Sequence, residues 1–154
     1  VFRALAAERA PPDIDGVDAA WGTALTHRLV YASRALVQAH SPEMLDIVRC
    51  ALRENPRFGI TGALYFDDVQ FFQVVEGPAE ALDSLWGRLL GDRRHHDVVL
   101  LQRGPIERRQ FGAWSMKFHD GAAGARPGVS FAYEALKNAG PARLDDKIDA
   151  LRLI

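Results

Sequence analysis

The stretch Phe71–Gly77, FFQVVEG, sets the strictest condition on any fold for this chain. Its apolar residues are β-branched or aromatic, the composition of a buried strand. Gln73 stands in the middle of it. A buried primary amide without partners costs about 1–3 kcal/mol on protein mutational scales. Gln73 therefore needs either a neighbouring side chain or a ligand to hold.

The residues around this strand give a regular alternation. His27–Ser33 is a first strand, with Leu29, Tyr31 and Ser33 on one face and Val30 and Ala32 on the other. Ser41-Pro42-Glu43 is a helix start: a serine N-cap, proline at N1 and an acid in the first turn. The helix runs to Glu54, with Met44, Leu45, Val48, Ala51 and Leu52 at helical spacing. Asn55-Pro56 ends it, because proline disfavours helical geometry in the residue before it. Ile60–Phe66 and Phe71–Glu76 form a hairpin around Asp67-Asp68. Gly77-Pro78 breaks the strand. Ala79–Leu90 is a second helix, with Leu82, Leu85, Trp86, Leu89 and Leu90 on one stripe. Asp97–Gln102 is a fourth strand. Trp114–Phe118 is expected as a fifth, with Trp114, Met116 and Phe118 on one face. Two short helices follow the Gly/Ala/Pro loop 122–128, one capped by Ser130 and reaching Asn138, the other at 142–153.

The order βαββαββ predicts an α+β, ferredoxin-like arrangement. A mixed five-stranded sheet carries two helices on one face, and the two terminal helices cover the other. The first and third strands are expected as parallel central neighbours, which brings Tyr31 and Gln73 together. Residues 1–26 are read as an extension or linker, with a possible short helix at Ala4–Ala10; 27–120 form the central domain and 121–154 a helical extension. A chain of 154 residues suits one domain, 48% hydrophobic and 25% charged residues are ordinary for a soluble protein, and a formal net charge of -1 argues against a non-specific nucleic-acid binder. Its single cysteine, Cys50, excludes an internal disulfide and fits a reducing, cytoplasmic setting. No apolar run reaches the ~18 residues of a membrane span.

Tyr31, Asn55 and Gln73 form the notable polar set. Two amides offer donors and acceptors together, which suits a planar ring with alternating carbonyl and N–H groups. Taken alone, Asn55 reads rather as a helix-ending turn residue. Arg88, Asp92, Arg93, Arg94 and His95 gather at the end of the second helix, as an anion site or as a solvated charge run. His95-His96 has no companion at metal-ligand spacing, so no metal is expected. Arg103, Arg108 and Arg109 read as loop charges.

The segments LVYAS, N-x3-GITGALYF, FFQVVEG, DRRHHDV and WSMKF resemble, in order and spacing, a BLUF domain of the short photoreceptor type, a blue-light sensor using FAD. The similarity runs from Leu29 to Phe118. It implies noncovalent FAD, Tyr31 as the photoactive tyrosine and Gln73 as the glutamine between it and the flavin. Asn55 is then the residue that holds the pyrimidine edge. Trp114 and Met116 become switching residues, Ile47 and Leu89 an apolar clamp, and Arg88, Asp92, Arg94 and His95 polar contacts. Light then drives reversible electron and proton transfer from Tyr31 through Gln73, with no substrate turned over. An effector, linked or separate, reads the signal, and a homo-oligomer is expected, with neither nucleic acid nor membrane as partner. The alternatives on the same layout are an acylphosphatase-like hydrolase and an RRM-like nucleic-acid module. The first lacks a glycine-rich anion cradle after the first strand, and the second lacks its stacking motif.

Overall fold

The computed structural model describes residues 25–121 and 129–154. The expected extension before Leu25, including the Ala4–Ala10 helix, and the loop 122–128 lie outside the described residues. The elements are β1 (Thr26–Ala35), α1 (Pro42–Glu54), a 3-10 turn (Asn55–Phe58), β2 (Thr61–Phe66), β3 (Gln70–Pro78), α2 (Ala79–Leu90), β4 (His95–Pro105), β5 (Lys117–Asp120), α3 (Tyr133–Lys137) and α4 (Pro141–Leu153). The cap of α1 forms as its sequence dictates: Ser41 Oγ accepts from the Met44 N–H at 3.1 Å, with Pro42 in the first turn. At the start of α3 the Ser130 hydroxyl instead accepts from the Ala132 N–H, and the helix begins later than expected.

The sheet order is β4-β1-β3-β2-β5. β1 and β3 are indeed central neighbours, but they run antiparallel, not parallel as expected from the sequence. The reason is topological. The α1 crossover returns the chain so that β2 runs in the same direction as β1. The hairpin at Asp67-Asp68 then reverses it, so β3 must oppose both. Tyr31 stands directly opposite Gln73 in this register.

β5 makes the sheet mixed, because it pairs with β2 in parallel. β4 lies on the other edge, so residues 106–116 cross beneath the ends of β1 and β3 to reach β2. The fifth strand starts at Lys117, not at Trp114. The Trp114 carbonyl accepts from Gly62 N–H at 3.0 Å, and its own N–H turns back to the Phe111 carbonyl at 3.1 Å. Trp114 and Met116 thus sit in a turn where strand alternation does not apply.

Two cores follow from the alternation along β1, β2 and β3. Leu29, Tyr31, Leu64, Phe71 and Val75 face α1 and α2, where Ile47, Ala51, Leu82, Leu85 and Leu89 close over them. Val30, Ala32, Tyr65, Phe72 and Val74 face α3 and α4 and pack on Leu136, Leu144, Ile148 and Leu151. Each such fully buried aliphatic or aromatic side chain stabilises by about 1.5–3 kcal/mol. The terminal helices therefore cover the face that the sequence predicts for them.

Gly62 lies hard against the backbone of β3. A Cβ at this position would stand 2.2 Å from the Val74 carbonyl oxygen, which is backbone and cannot step aside. Gly62→Ala is expected to destabilise the protein by about 1–3 kcal/mol or more, as overpacked cores do. Urea unfolding measures it, and a midpoint equal to that of the unmutated protein would contradict this packing.

Candidate functional site

Tyr31 and Gln73 are both fully buried in the layer between the sheet and the two long helices. The Tyr31 hydroxyl donates to Gln73 Oε1 at 2.6 Å. Opposed positions on antiparallel strands carry their side chains to the same face, so the register itself makes this contact. Burial pushes the Tyr31 phenol well above its ordinary pKa near 10, and the Asp92 carboxylate adds to the effect. The phenol therefore keeps its proton, and the proton points at the amide.

Among the described residues, the second end of that amide has no partner. Gln73 Nε2 and Asn55 Oδ1 are buried and make no hydrogen bond. An unmet buried polar atom costs about 1–3 kcal/mol, so each marks a position where a ligand restores something. One is a donor and the other an acceptor. Asn55 is fully buried as the C-cap of α1, and its Nδ2 donates to the Ser115 carbonyl at 2.8 Å. Its amide is thereby fixed, with the oxygen left available. The helix-ending reading of Asn55 holds, and the same side chain keeps one buried amide oxygen without a hydrogen bond among the described residues.

The surrounding residues divide into groups. Ile47, Leu89 and Met116 share the core that contains Tyr31. Trp114 does not: it is half-buried and packs with the core under α3 and α4, against the expectation that it shares a face with Met116. The turn at Ser115 separates them. Phe118 lines a groove with Met44 and Val48 of α1, so it lies on the Met116 side.

The charge cluster after α2 is not a single site. Arg94 spans from Asp92 to Asp46 of α1, with both contacts at 3.0 Å, and so ties the end of α2 to α1. Burial works against ionisation of Asp92, but its hydrogen bonds from Arg94 outweigh this and hold the carboxyl below the usual carboxylate range. Arg88 lies apart, with its guanidinium 5.9 Å from the centre of the Phe58 ring. His95 turns inward. Its Nε2–H donates to the Leu89 carbonyl at 2.6 Å, and Nδ1 meets the Ser33 hydroxyl at 2.8 Å. Among the described residues no His/Cys/Asp/Glu group is placed to hold a metal ion.

Several side chains play supporting parts that the sequence did not assign to them. Trp86 lies 5.9 Å from the Tyr31 ring and His95 6.2 Å, so an aromatic wall fixes the phenol. Glu76 sits on β3 facing the other core, and its carboxylate accepts from Arg28 at 2.8 Å and from the backbone N–H groups of Gln110 and Phe111 at 3.1 and 3.0 Å. Arg109, expected as a loop charge, is half-buried and donates to the Gly59 and Glu76 carbonyls and to Thr61 Oγ1. Arg103 reaches back to Asp83 of α2. The signal for Glu76 was present: alternation puts Arg28 and Glu76 on one face of two central strands.

The family model described as "BLUF: Sensors of blue-light using FAD" matches residues 26–117. This chain is a BLUF protein. It is 34% identical over 98 residues to photoactivated adenylate cyclase subunit alpha of Euglena gracilis, a match covering 62% of this chain and 10% of that protein. It is 30% identical over 92 residues to the blue light- and temperature-regulated antirepressor BluF of Escherichia coli, covering 60% and 23%. The chain thus spans about a tenth of the cyclase and under a quarter of the antirepressor. Among solved structures, the dark state of BlrB, a BLUF protein, superposes with a TM-score of 0.67 at 27% identity, covering 84% of this chain and 97% of that one. The ground state of BlsA gives 0.72 at 25%, covering 84% and 89%. This BLUF chain is a blue-light sensor that uses FAD, and neither the hydrolase nor the RNA-binding alternative finds support. The sheet face that an RRM would offer to RNA is buried here under α3 and α4. Gln73 Nε2 and Asn55 Oδ1 fit the polar edge of a flavin in kind: one is a buried donor and the other a buried acceptor, in a fold with an apolar, aromatic core.

Two outcomes test the supports. Glu76→Ala leaves the buried Arg28 charge unpaired and should cost about 3–5 kcal/mol in urea unfolding; a loss below about 1 kcal/mol would contradict a clamping role. For His95, burial lowers the pKa from its ordinary value of 6.5. The imidazole is neutral in both states above that value, and its contribution is then complete. As pH falls further, the unfolded chain takes up a proton that the fold resists, and stability declines. The urea midpoint should fall from about pH 7 to 5.5, and His95→Gln should flatten that part of the curve. Parallel curves for the two proteins would exclude His95 as the source.

Proposed function

We propose that Tyr31 and Gln73 are the light-responsive pair of this sensor, and that Gln73 and Asn55 hold the polar edge of its flavin. The observation that carries the proposal is the one-sided amide. Gln73 Oε1 accepts from the Tyr31 hydroxyl at 2.6 Å, while Nε2 has no partner among the described residues. Ile47 and Leu89 clamp the ring from the two helices. Arg88, Asp92, Arg94 and His95 contribute at the periphery. Of these, Arg94 is the best placed, since it already bridges α1 and the end of α2. His95 acts from beneath, by holding Ser33 and Leu89 in place.

Bound FAD supplies light absorption and transient electron acceptance. The residues do the rest. On losing an electron, Tyr31 becomes a strong acid, and its proton has a short path from Oη to Gln73 Oε1. The amide that takes up this proton cannot keep its former donor and acceptor pattern. When Tyr31 recovers its electron and proton, Gln73 remains with its hydrogen bonds rearranged. Trp86 and His95 limit where the phenol can go. The change reaches Met116 across the shared core, and Trp114 through Ser115, whose carbonyl Asn55 holds.

On this reading the protein turns over no substrate, and an effector reads the rearrangement. A linked output domain is one form, as the name of the Euglena relatives and a solved bacterial light-regulated adenylyl cyclase suggest. A separate partner is the other, and self-association accompanies either. Among the described residues no helix is long and apolar enough to cross a membrane.

The test is a dark-minus-light absorbance spectrum of the purified protein carrying FAD. The unmutated protein should show a reversible red shift, and acid should release intact FAD. Tyr31→Phe should bind flavin with little change, since the clamp and both amides remain, but should lose the shift. Gln73→Leu should also lose it, and the double variant should match either single one, because the pair acts as a unit. A normal shift in Tyr31→Phe would end the proposal.

A further inference from the structure

Lys117, the first residue of β5, makes two contacts that the flavin site does not require. Its Nζ lies 4.6 Å from the centre of the Trp114 ring. The same ammonium donates to the Arg152 carbonyl at 2.8 Å. Arg152 is in the last turn of α4, where the carbonyls have no partner within the helix. A cation there also meets the negative end of the helix dipole. One ammonium therefore caps the C-terminal helix and rests on the tryptophan at once. Partial burial, with the Arg152 charge nearby, pushes the Lys117 pKa down. A partly desolvated cation holds an aromatic ring more firmly than a hydrated one.

The same indole is tied to the flavin side. Ser115, its neighbour, has its carbonyl on Asn55 Nδ2, and the Trp114 carbonyl is held by Gly62 of β2. A shift of the 114–116 turn moves the ring relative to β5. If the ring leaves, the ammonium either loses the ring or follows it away from the Arg152 carbonyl, because one nitrogen makes both contacts.

We propose that Lys117 is the positioning residue that couples Trp114 to α4, so that the lit state is read out as a loosened last turn of that helix. The inference rests on the reading of Tyr31, Gln73 and Asn55 above and extends it to the output side. Lys117 faces the Trp114 side of the sheet, away from Tyr31 and Gln73, so its loss should leave the photochemistry intact.

The experiment is hydrogen–deuterium exchange on the full chain carrying FAD, in the dark and under blue light, with absorbance recorded on the same samples. In the unmutated protein the amides of residues 149–153 should exchange about two- to fivefold faster in light, the scale of losing one helix-end cation. Lys117→Met keeps the aliphatic stem but removes the charge and the donor. It should show the faster exchange already in the dark, no further increase in light, and an unaltered flavin shift. Lys117→Arg, which can both donate and stack, should restore the light dependence. The coupling is overturned if Lys117→Met keeps the light-dependent difference at α4. It is also overturned if the unmutated protein shifts its absorbance while α4 stays silent. An unmutated protein with no absorbance shift would instead bring down the Tyr31–Gln73 reading, and this coupling with it.

Discussion

The hydrogen bond from Tyr31 to Gln73 organises this molecule, because a buried amide has to be satisfied before anything can pack over it. The amide sits in the central strand of a five-stranded sheet, out of reach of water. A tyrosine on the adjacent strand satisfies one end. The other end stays open towards an apolar layer, and that imbalance is what a flavin edge can correct. The fold thus carries a local deficit at its centre, surrounded by well-packed side chains. Functional sites commonly carry such local conflicts, with the cost offset elsewhere.

The two faces of the sheet divide the work. The face under α1 and α2 holds the phenol, the amide and the apolar walls. The face under α3 and α4 holds Trp114, together with the ion pair of Arg28 and Glu76. Because β3 contributes Gln73 to one face and Glu76 to the other, one strand touches both the proposed light-responsive pair and the anchor of the 106–116 crossing. A displacement along β3 is therefore felt on both sides without any hinge. Asn55 makes a second connection, since it ends α1 and also holds Ser115.

Much of this was legible in the sequence. The cap of α1, the hairpin at Asp67-Asp68 and the stripe of α2 follow from local chemistry. The pairing of Tyr31 with Gln73 follows from element order. What failed had identifiable reasons. The direction of β3 depends on counting one crossover and one reversal, and the parallel expectation missed the reversal. Trp114-x-Met116-x-Phe118 has the period of a strand, yet backbone bonds from Gly62 and to Phe111 bend the segment before the ladder begins. Arg109 looked like a solvated charge because its partners are carbonyls at Gly59 and Glu76, far away in sequence and invisible in composition.

The crossing of residues 106–116 also has a consequence for how the molecule assembles. β5 is four residues long and, among the described residues, pairs with β2 alone, at the edge opposite β4. It cannot find its place until β4 has docked on one edge and the β2–β3 hairpin on the other, because the crossing is tethered at Glu76 between them. Contacts that span so much of the chain bear the loop-closure entropy before they gain stability. β5 should therefore be a late arrival in folding and an early departure in local opening. The segment that carries Trp114, Met116 and Lys117 thus adjoins a short edge strand whose hold on the sheet depends on contacts made late.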